Sequence, residues 1–244
     1  MRDSLLTRRQ LLFATGSGVL GVTVLNTITG CSSPAEQEQG EGKPQPSGTS
    51  DWKRVELSFV SAYLLVRGNE VAIVDLGTDN SVTAIDAALQ SAGSNWNAVR
   101  HIILTHQHSD HVGGLAGVAP KVQAAIYAGA ADVGGISSDR PLKSVNDGDE
   151  VFGLQIIGTP GHTVGHISVF DPATGVLVAG DALRTSSGLA GSDPQYTADP
   201  IDAAASVRKL ATLDVKMILP GHGDPLTSGA ADELRKLAAS LPTN

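Results

Sequence analysis

The sequence predicts an α+β domain in which two mixed β-sheets are packed between outer helices, a four-layer αββα sandwich. Three observations predict this fold class. Apolar runs of strand length recur along residues 52–244, the first few follow one another as a meander, and helical stretches alternate with strands after that. Such a mixture favours sheets that are covered by helices on their outer faces. Roughly 190 residues are enough for one domain with a sizeable core, and for no more than one.

The predicted strands are apolar runs bounded by turn residues. They are Val55–Phe59, Ala62–Val66, Val71–Asp75, Val99–Leu104, Val122–Tyr127, Val151–Gly158, His166–Phe170, Val176–Ala179 and Met217–Leu219. The predicted helices are Ser81–Ala92, a short piece over His111–Val118, Ala128–Gly134, Ile201–Leu213 and Ser228–Ser240. Asp199-Pro200 is a favourable start for the fourth helix, because aspartate caps a helix and proline fits its first turn. Asp171–Gly175 is typical of a hairpin turn.

Residues 1–30 have the features of a bacterial export signal. The pair Arg8-Arg9 precedes a moderately apolar run, a pattern typical of a twin-arginine signal peptide. The run ends in Ile-Thr-Gly-Cys31, which resembles the lipobox at which bacterial lipoproteins are cleaved and acylated. Cys31 is the only cysteine, so it forms no intramolecular disulfide and no cysteine-based zinc site. We expect lipid attachment at Cys31, rather than a free cysteine in an N-terminal helix.

The next segment, residues 31–51, is rich in Ser, Pro, Glu, Gln and Gly, which predicts a disordered tether. With the lipid, it would anchor an exported domain at the extracytoplasmic face of the bacterial cell membrane. The net charge of −8 argues against a nucleic-acid partner, which would require a basic surface. We expect membrane contact through the lipid only. A Cys31→Ser variant that stayed in the membrane fraction would exclude this anchor.

A dense group of metal-capable side chains follows the predicted fourth strand. The segment reads THQHSDHVGG and places His106, His108, Asp110 and His111 within six positions. Imidazole and carboxylate groups are ligands that suit zinc and its first-row neighbours. The chain has only seven histidines, so chance rarely produces this spacing in a polar surface loop. The segment therefore predicts a metal site.

Three further metal-capable residues come after later strands, each with glycine beside it: His162, Asp181 and His222. Any one of them alone is better explained by a buried histidine or a turn aspartate. Their repeated position at strand ends, together with the first cluster, indicates that they converge on the same metal site. Small neighbours would let the backbone approach the ion closely.

Residues 54–226 resemble the metallo-β-lactamase superfamily, whose motifs THxHxDHxGG, GHTxGH, GD and GH occur here in the same order. The resemblance implies the metallo-β-lactamase fold and two metal ions. It assigns His106, His108 and His162 to the first metal, Asp110, His111 and His222 to the second, and Asp181 to both. It leaves His166 as support for a neighbouring ligand or turn. His101 has no motif role and is expected at the surface near a strand end.

The resemblance implies hydrolysis at a dinuclear centre, with zinc as the expected metal and manganese or iron as alternatives. Two divalent ions about 3.5–4 Å apart lower the pKa of a shared water towards about 7, and the resulting hydroxide attacks the substrate. Asp110 would also orient that hydroxide and pass its proton to the leaving group. Asp110 is therefore the expected catalytic residue.

Details of the sequence favour one branch of the superfamily. Asp181 stands where two classes of β-lactamase carry cysteine or serine, so the set is more similar to glyoxalase II enzymes and acyl-homoserine lactonases. The sequence continues for about twenty residues beyond His222, which leaves no room for the helical glutathione-binding domain of glyoxalase II and puts a glutathione thioester in doubt. We expect a small ester, lactone or thioester as substrate.

Substrate-binding residues are expected in the loops around the metals, chiefly the early meander turns, Ser137–Asn146 and residues 184–199. Arg184 takes the position of a lactonase tyrosine and is a candidate to clamp a substrate carboxylate or phosphate, or else a solvated loop residue. Tyr196 is a weaker candidate for a hydrogen-bond donor to the substrate, and packing within the loop is the favoured explanation for it.

The sequence leaves three other functions open. A β-lactamase-like amide hydrolase or a mononuclear-iron persulfide dioxygenase carries similar motifs, although the dioxygenase uses only part of the ligand set. A surface-tethered metal-binding module without turnover belongs to a different class of function. Asp110 argues against that module, because a pure binding site needs no acid–base carboxylate beside an open metal position.

Overall fold

The computed structural model describes residues 51–242. The predicted signal peptide, Cys31 and all but the last residue of the predicted tether lie outside the described residues. Within them the strands are β1 (Trp52–Leu57), β2 (Val60–Arg67), β3 (Glu70–Val74), β4 (Val99–Leu104), β5 (Ala125–Gly129), β6 (Leu142–Val145), β7 (Glu150–Val151), β8 (Leu154–Gly158), β9 (Ile167–Asp171), β10 (Val176–Gly180), β11 (Leu183–Arg184), β12 (Ala190–Gly191) and β13 (Met217–Pro220). The helices are α1 (Val82–Ser91), α2 (Ser109–Val112), α3 (Leu115–Val118), α4 (Pro200–Leu210) and α5 (Ala230–Ser240). None of these helices is both long enough and apolar enough to span a bilayer.

Two mixed sheets form the centre of the domain. The first has the order β1-β2-β3-β4-β5-β6, antiparallel from β1 to β3 and parallel from β3 to β6. The second has the order β13-β10-β9-β8-β7 and is antiparallel except for the parallel pair β10 and β13. A separate two-stranded hairpin, β11 and β12, lies at the start of the irregular segment over residues 184–199, which is called the late loop below.

Three layers of apolar side chains separate the four layers of secondary structure. Along β3, Ile73 packs toward α1 and α3, whereas its neighbours Ala72 and Val74 pack between the sheets. Along β10, Val178 packs between the sheets and Leu177 packs toward α4 and α5. Side chains alternate across a strand, so a strand buried on both faces must be apolar throughout. The predicted αββα sandwich is therefore confirmed.

Local predictions were confirmed where capping or turn chemistry was explicit. The Asp199 carboxylate accepts hydrogen bonds from the backbone N–H groups of Ile201 and Asp202 at 2.8 and 3.0 Å, and α4 begins at Pro200. The turn over Asp171–Gly175 joins the antiparallel strands β9 and β10.

The largest departures from the prediction concern three predicted elements and one predicted loop. The run Val151–Gly158 is two strands, because the chain reverses at Phe152 and Gly153, both with positive φ. The predicted helix Ala128–Gly134 instead finishes β5 and continues into a turn with a 3₁₀ segment at Val133–Gly135. The piece over His111–Val118 is divided into α2 and α3 at a pair of glycines. The stretch Ser137–Asn146 contains β6, which pairs in parallel with β5.

Candidate metal centre and active site

The predicted ligands lie where strands of both sheets end. His106 follows β4, and His108, Asp110 and His111 lie at the start of α2 or just before it. The other three follow strands of the second sheet: His162 comes after β8, Asp181 directly after β10 and His222 after β13. The fold thereby brings together all seven predicted ligands at one edge of the sandwich.

Three histidines form the first group. The Nδ1 atom of His108 lies 3.1 Å from Nε2 of His106 and 2.9 Å from Nε2 of His162. The rings of His106 and His162 meet edge to face, with centroids 4.6 Å apart. These three nitrogens converge closely enough for one ion to contact all of them.

Two histidines and two carboxylates form the second group. His222 Nε2 lies 3.3 Å from Asp110 Oδ2 and 3.3 Å from Asp181 Oδ2. His111 Nε2 lies 3.1 Å from Asp181 Oδ1. Asp181 Oδ2 also lies 3.4 Å from His162 Nε2 of the first group, so Asp181 stands between the two groups. Gly221 is required beside them, because a Cβ there would overlap Asp181 Oδ1 and a ring carbon of His111.

The hydrogen bonds behind the rings fix which nitrogen faces the site. His222 Nδ1 lies 2.8 Å from the Phe59 carbonyl oxygen, which only accepts, so Nδ1 carries the hydrogen. His111 Nδ1 donates in the same way to Asp75 at 2.8 Å. In each neutral ring Nε2 then presents its lone pair inward, the form that binds a metal.

Thr105 fixes the tautomer of His106 by the same reasoning. The Thr105 hydroxyl donates to Asp75 Oδ2 at 2.7 Å and therefore accepts from His106 Nδ1 at 3.1 Å. His111 Nε2 and Asp181 Oδ1 are buried and face each other at 3.1 Å without the angles of a hydrogen bond, and neither has a hydrogen-bond partner elsewhere among the described residues. A donor set of inward lone pairs with unsatisfied buried atoms fits divalent cations.

In the metal-free chain, protons take the place of cations in the second group. Hydrogen bonds to Asp110 and Asp181 raise the pKa of His222 to about 10. Burial alone would lower the pKa of His111, but Asp181 and Asp75 raise it well above its usual value.

By contrast, the pKa values of His106, His162 and Asp110 are lowered. Burial lowers the pKa of His162 to about 4 and lowers that of His106 well below its usual value, so both rings are neutral at pH 7. The hydrogen bond from His222 lowers the pKa of Asp110. His106 and His162 are thus prepared to bind a cation without losing protons, whereas His111 and His222 of the second group are not.

Two buried aspartates that the sequence did not single out hold the ligand segments in place. Asp75 accepts from the backbone N–H and hydroxyl of Thr105 as well as from His111. Asp132 accepts from the backbone N–H groups of Gln107 and Gly165, at 3.0 and 2.7 Å, and from the Thr163 hydroxyl at 2.6 Å. Asp132 therefore joins the two loops that carry the first group.

His166 and His101, the two histidines outside the predicted ligand set, make contacts within the fold. His166 Nε2 accepts the backbone N–H of Asp181 at 3.0 Å, and its Nδ1 contacts the Thr159 hydroxyl at 2.8 Å. Both ring nitrogens are therefore occupied, as support for the turn that presents Asp181. His101 is half-buried and stacks on Phe152, with centroids 4.9 Å apart; it lies inside β4, so its expected place near a strand end was wrong.

A cavity of about 640 Å³ opens above the two groups. Its wall is formed by Phe59 from the first meander turn and by Arg184, Asp193 and Tyr196 from the late loop. No residue of the predicted substrate loop Ser137–Asn146 lines it, because β6 holds that stretch at the far edge of the first sheet. The Arg184 guanidinium is paired with Asp193 at 3.3 Å and donates through Nε to the Gly191 carbonyl.

Comparisons with known proteins agree with this fold. Residues 55–222 match the family described as the metallo-beta-lactamase superfamily. A probable metallo-hydrolase, YflN, from Bacillus subtilis is 30% identical over 216 residues, covering 69% of this chain and 81% of that protein. A hydroxyacylglutathione hydrolase from Dechloromonas aromatica is 32% identical over 168 residues, covering 65% of this chain and 58% of that protein.

The chain thus spans little more than half the length of the hydroxyacylglutathione hydrolase that it matches. Among solved structures, a metallo-beta-lactamase family protein from Thermus thermophilus superposes with a TM-score of 0.63 at 24% identity, covering 79% of this chain and 80% of that one. The match over most of the domain and the convergent ligand groups lead to one conclusion. The chain belongs to the metallo-β-lactamase superfamily and is a metal-dependent hydrolase.

Proposed function

We propose that this chain is a dinuclear zinc hydrolase that cleaves small carboxylic esters, lactones or thioesters. The observation that carries the proposal is the convergence of inward-facing imidazole and carboxylate groups at the base of an open cavity. Two zinc ions would supply Lewis-acid activation of a water molecule and of the substrate carbonyl. One ion would be held by His106, His108 and His162, the other by Asp110, His111 and His222, with Asp181 reaching both.

Asp110 is best placed among the carboxylates to handle the proton. Its side chain is 26% exposed and lines the cavity, whereas that of Asp181 is 11% exposed and faces His111. In the metal-free chain the hydrogen bond from protonated His222 lowers the pKa of Asp110, and a bound metal ion would likewise favour the ionised carboxylate. It can accept a hydrogen bond from the attacking water and then transfer the proton to the leaving group.

The rim of the cavity supports a substrate with an apolar part. Phe59 and Tyr196 are 61% and 60% exposed, and both line the cavity. The Phe59 ring is nearly parallel to the His222 ring, with centroids 6.0 Å apart, so it lies beside the second metal group. Exposed aromatic surface at a cavity mouth favours an aliphatic or aromatic acyl or alcohol group.

The contacts of Arg184 support a neutral substrate over an anionic one. Its guanidinium is already paired with Asp193, so a substrate carboxylate would have to displace that partner. Asp193 lies on the same cavity wall, and its carboxylate would repel an anion that approaches Arg184. We therefore propose neutral esters and lactones ahead of the glutathione thioester that the name of the Dechloromonas relative suggests.

The experiment is a substrate panel on the full chain loaded with two equivalents of zinc. The panel contains lactones of short and long acyl chain, neutral thioesters, S-acylglutathione, β-lactams and phosphodiesters. Turnover of a neutral ester, lactone or thioester is expected, and Asp110→Ala or His108→Ala should reduce kcat/KM by at least about a hundredfold. Asp214→Ala is the control, since Asp214 is exposed and lines no part of the cavity. Full activity of Asp110→Ala would overturn the proposed role of this residue.

Other outcomes of the same panel identify the remaining alternatives. Preferred cleavage of β-lactams would assign an amide hydrolase. One bound equivalent of iron with oxygen-dependent sulfite formation from a persulfide would assign a dioxygenase. Complete metal binding without turnover of any substrate would leave a metal-binding surface module.

A further inference from the structure

Two hydroxyl groups lie behind His162, on the side of the ring that faces away from the metal groups. His162 Nδ1 is 2.9 Å from the Ser192 hydroxyl oxygen, which is 2.7 Å from the Thr197 hydroxyl oxygen. The Thr197 hydroxyl in turn donates to the backbone carbonyl of Asp193 at 2.6 Å. The three groups form one chain of hydrogen bonds that begins at a carbonyl and ends at the histidine ring.

The direction of every hydrogen in this chain follows from its carbonyl end. A carbonyl oxygen only accepts, so the single hydroxyl hydrogen of Thr197 points at Asp193. Thr197 must then accept from Ser192, and Ser192 must accept from His162 Nδ1. The hydrogen of the neutral His162 ring therefore sits on Nδ1, and Nε2 presents a lone pair to His108 and Asp181.

We propose that Ser192 and Thr197 are positioning residues that hold His162 in the tautomer and orientation required to bind the first metal. The inference rests on the metal assignment of the proposed function. Partners of this kind, on the far side of a ligand ring, commonly contribute about 10–100-fold to metal affinity. Thr197 itself contacts no predicted metal ligand. Any effect of Thr197 on metal binding must therefore pass through the direction of the Ser192 hydrogen bond.

The loop that carries these hydroxyl groups also forms one wall of the substrate cavity. Asp193 and Tyr196 line the cavity between Ser192 and Thr197 in sequence. Backbone hydrogen bonds from Ala198 to the His162 carbonyl and from Asp199 to the Gly161 carbonyl hold the loop independently of the hydroxyl groups. Removal of one hydroxyl should therefore leave the loop in place and change only the ring.

The decisive variant is Thr197→Val, which keeps the shape of the side chain and removes its hydroxyl. Ser192 would lose its acceptor and become free to donate to His162 Nδ1. A hydrogen bond from Ser192 to Nδ1 stabilises the His162 tautomer that carries its hydrogen on Nε2. The Nε2 atom then has no lone pair with which to bind the metal. We expect about tenfold or greater loss of affinity for one of two zinc equivalents, with the other unchanged. Thr197→Ser should restore the affinity, because it restores the hydroxyl.

The measurements are made on the full chain after removal of metal by a chelator. Competition with a fluorescent zinc indicator gives the affinity of each equivalent, and cobalt substitution gives an absorption spectrum that responds to ligand geometry. Histidine ¹⁵N chemical shifts report which ring nitrogen carries hydrogen. Thr212→Val is the matched control, since the Thr212 hydroxyl donates only to the Lys209 carbonyl at the end of α4.

The outcomes separate failure of this inference from failure of the proposed function. If His162→Ala loses one equivalent while Thr197→Val binds both as tightly as the parent, with an unchanged cobalt spectrum, the hydroxyl groups do not position the ring. If His162→Ala also keeps both equivalents, the metal assignment itself is wrong. Should Thr197→Val fail to fold, the pair Ser192→Ala and Ser192→Thr makes the same comparison, with loss expected for alanine and retention for threonine.

Discussion

The individual ligands depend on residues that never face the metal groups. Asp75 shows this most directly, because one carboxylate serves both Thr105 and His111 and so fixes the tautomers of two ligand rings. Its backbone φ of 61° lies in the left-handed region, which aspartate and asparagine enter more readily than most residues. Its side chain is 3% exposed, so no water replaces its hydrogen bonds at low cost.

We predict that Asp75→Asn weakens binding of the second metal by about 10–100-fold. Asparagine tolerates the same backbone conformation, but its uncharged amide is a weaker acceptor for His111 Nδ1 and can present an N–H₂ group to it instead. Zinc affinity measured by indicator competition tests this expectation. Asp79→Asn, an exposed change in the following turn, should leave both affinities unchanged. Equal affinities in the Asp75 variant and the parent would contradict the role assigned to Asp75.

The metal ligands could be predicted from the sequence, whereas the buried residues that hold the ligands in place could not. Histidines at strand ends beside glycine are rare enough to stand out, since the chain has seven histidines in 244 residues. Asp75 is one of 25 acidic residues, and the ligand that it holds lies 36 positions away. Only the folded chain brings such pairs together, so no local pattern identifies them.

The secondary-structure elements act by bringing separate loops to one edge of the sandwich. Asp132, in the turn after β5, bridges the loop that follows β4 and the loop that follows β8. The first loop carries His108 and the second carries His162. The distance between these two ligands therefore depends on one buried carboxylate that belongs to neither loop.

We predict that Asp132→Ala lowers the free energy of unfolding by roughly 2–6 kcal/mol, because each of its two fully buried donors, the Gly165 N–H and the Thr163 hydroxyl, costs about 1–3 kcal/mol when left without a partner. Three donors lose their acceptor: two backbone N–H groups and the Thr163 hydroxyl. Urea unfolding of the metal-free chain measures the change.

Asp147→Ala is the matched control for this prediction. Asp147 also accepts a backbone N–H, from Gly158, and pairs with Lys209, but its side chain is 57% exposed. A loss below about 1 kcal/mol is expected there, because water can replace the lost contacts. Equal losses in the two variants would show that Asp132 is no stronger a link than a surface contact.

Elements were predicted well where both faces are buried and poorly where the signal is mixed. Strand β10 is buried throughout and carries only apolar side chains before its final glycine, so the sequence marks it clearly. The segment Ala128–Gly134 has the composition of a helix, but its first two residues pair with Leu104 and Val145 of neighbouring strands, and tertiary pairing overrides propensity. The edge strand β6 is half exposed and polar in the middle, which hides it among loops.

The molecule as a whole couples metal binding to proton release. In the metal-free chain, Asp110 and Asp181 hold a proton on His222, whose pKa is about 10, and similar contacts with Asp181 and Asp75 raise the pKa of His111. A metal requires both rings in the neutral form. Binding at the second group must therefore expel protons at pH 7, whereas His106 and His162 of the first group are already neutral.

Because the pKa of His222 is raised, the stability of the metal-free chain and its stabilisation by zinc change with pH in opposite directions. The pKa of His222 is raised on folding from its usual value of 6.5 to about 10. Its contribution to metal-free stability is therefore complete below about pH 6.5 and is lost as pH rises through about 10. Zinc competes with that proton, so zinc affinity and the stabilisation by zinc should increase with pH over the same window.

We predict that zinc binding at pH 8 releases on the order of one to two protons per chain, and that His222→Asn reduces the number by about one. Isothermal titration calorimetry in two buffers with different heats of ionisation counts these protons, because the measured heat then differs in proportion to the number transferred. His101→Gln is the control, since His101 stacks against Tyr127 and Phe152 and contacts no predicted ligand. An unchanged count in His222→Asn would mean that the proton displaced by zinc does not reside on His222. The negative charges of Asp110 and Asp181 would then be balanced by a proton on another group.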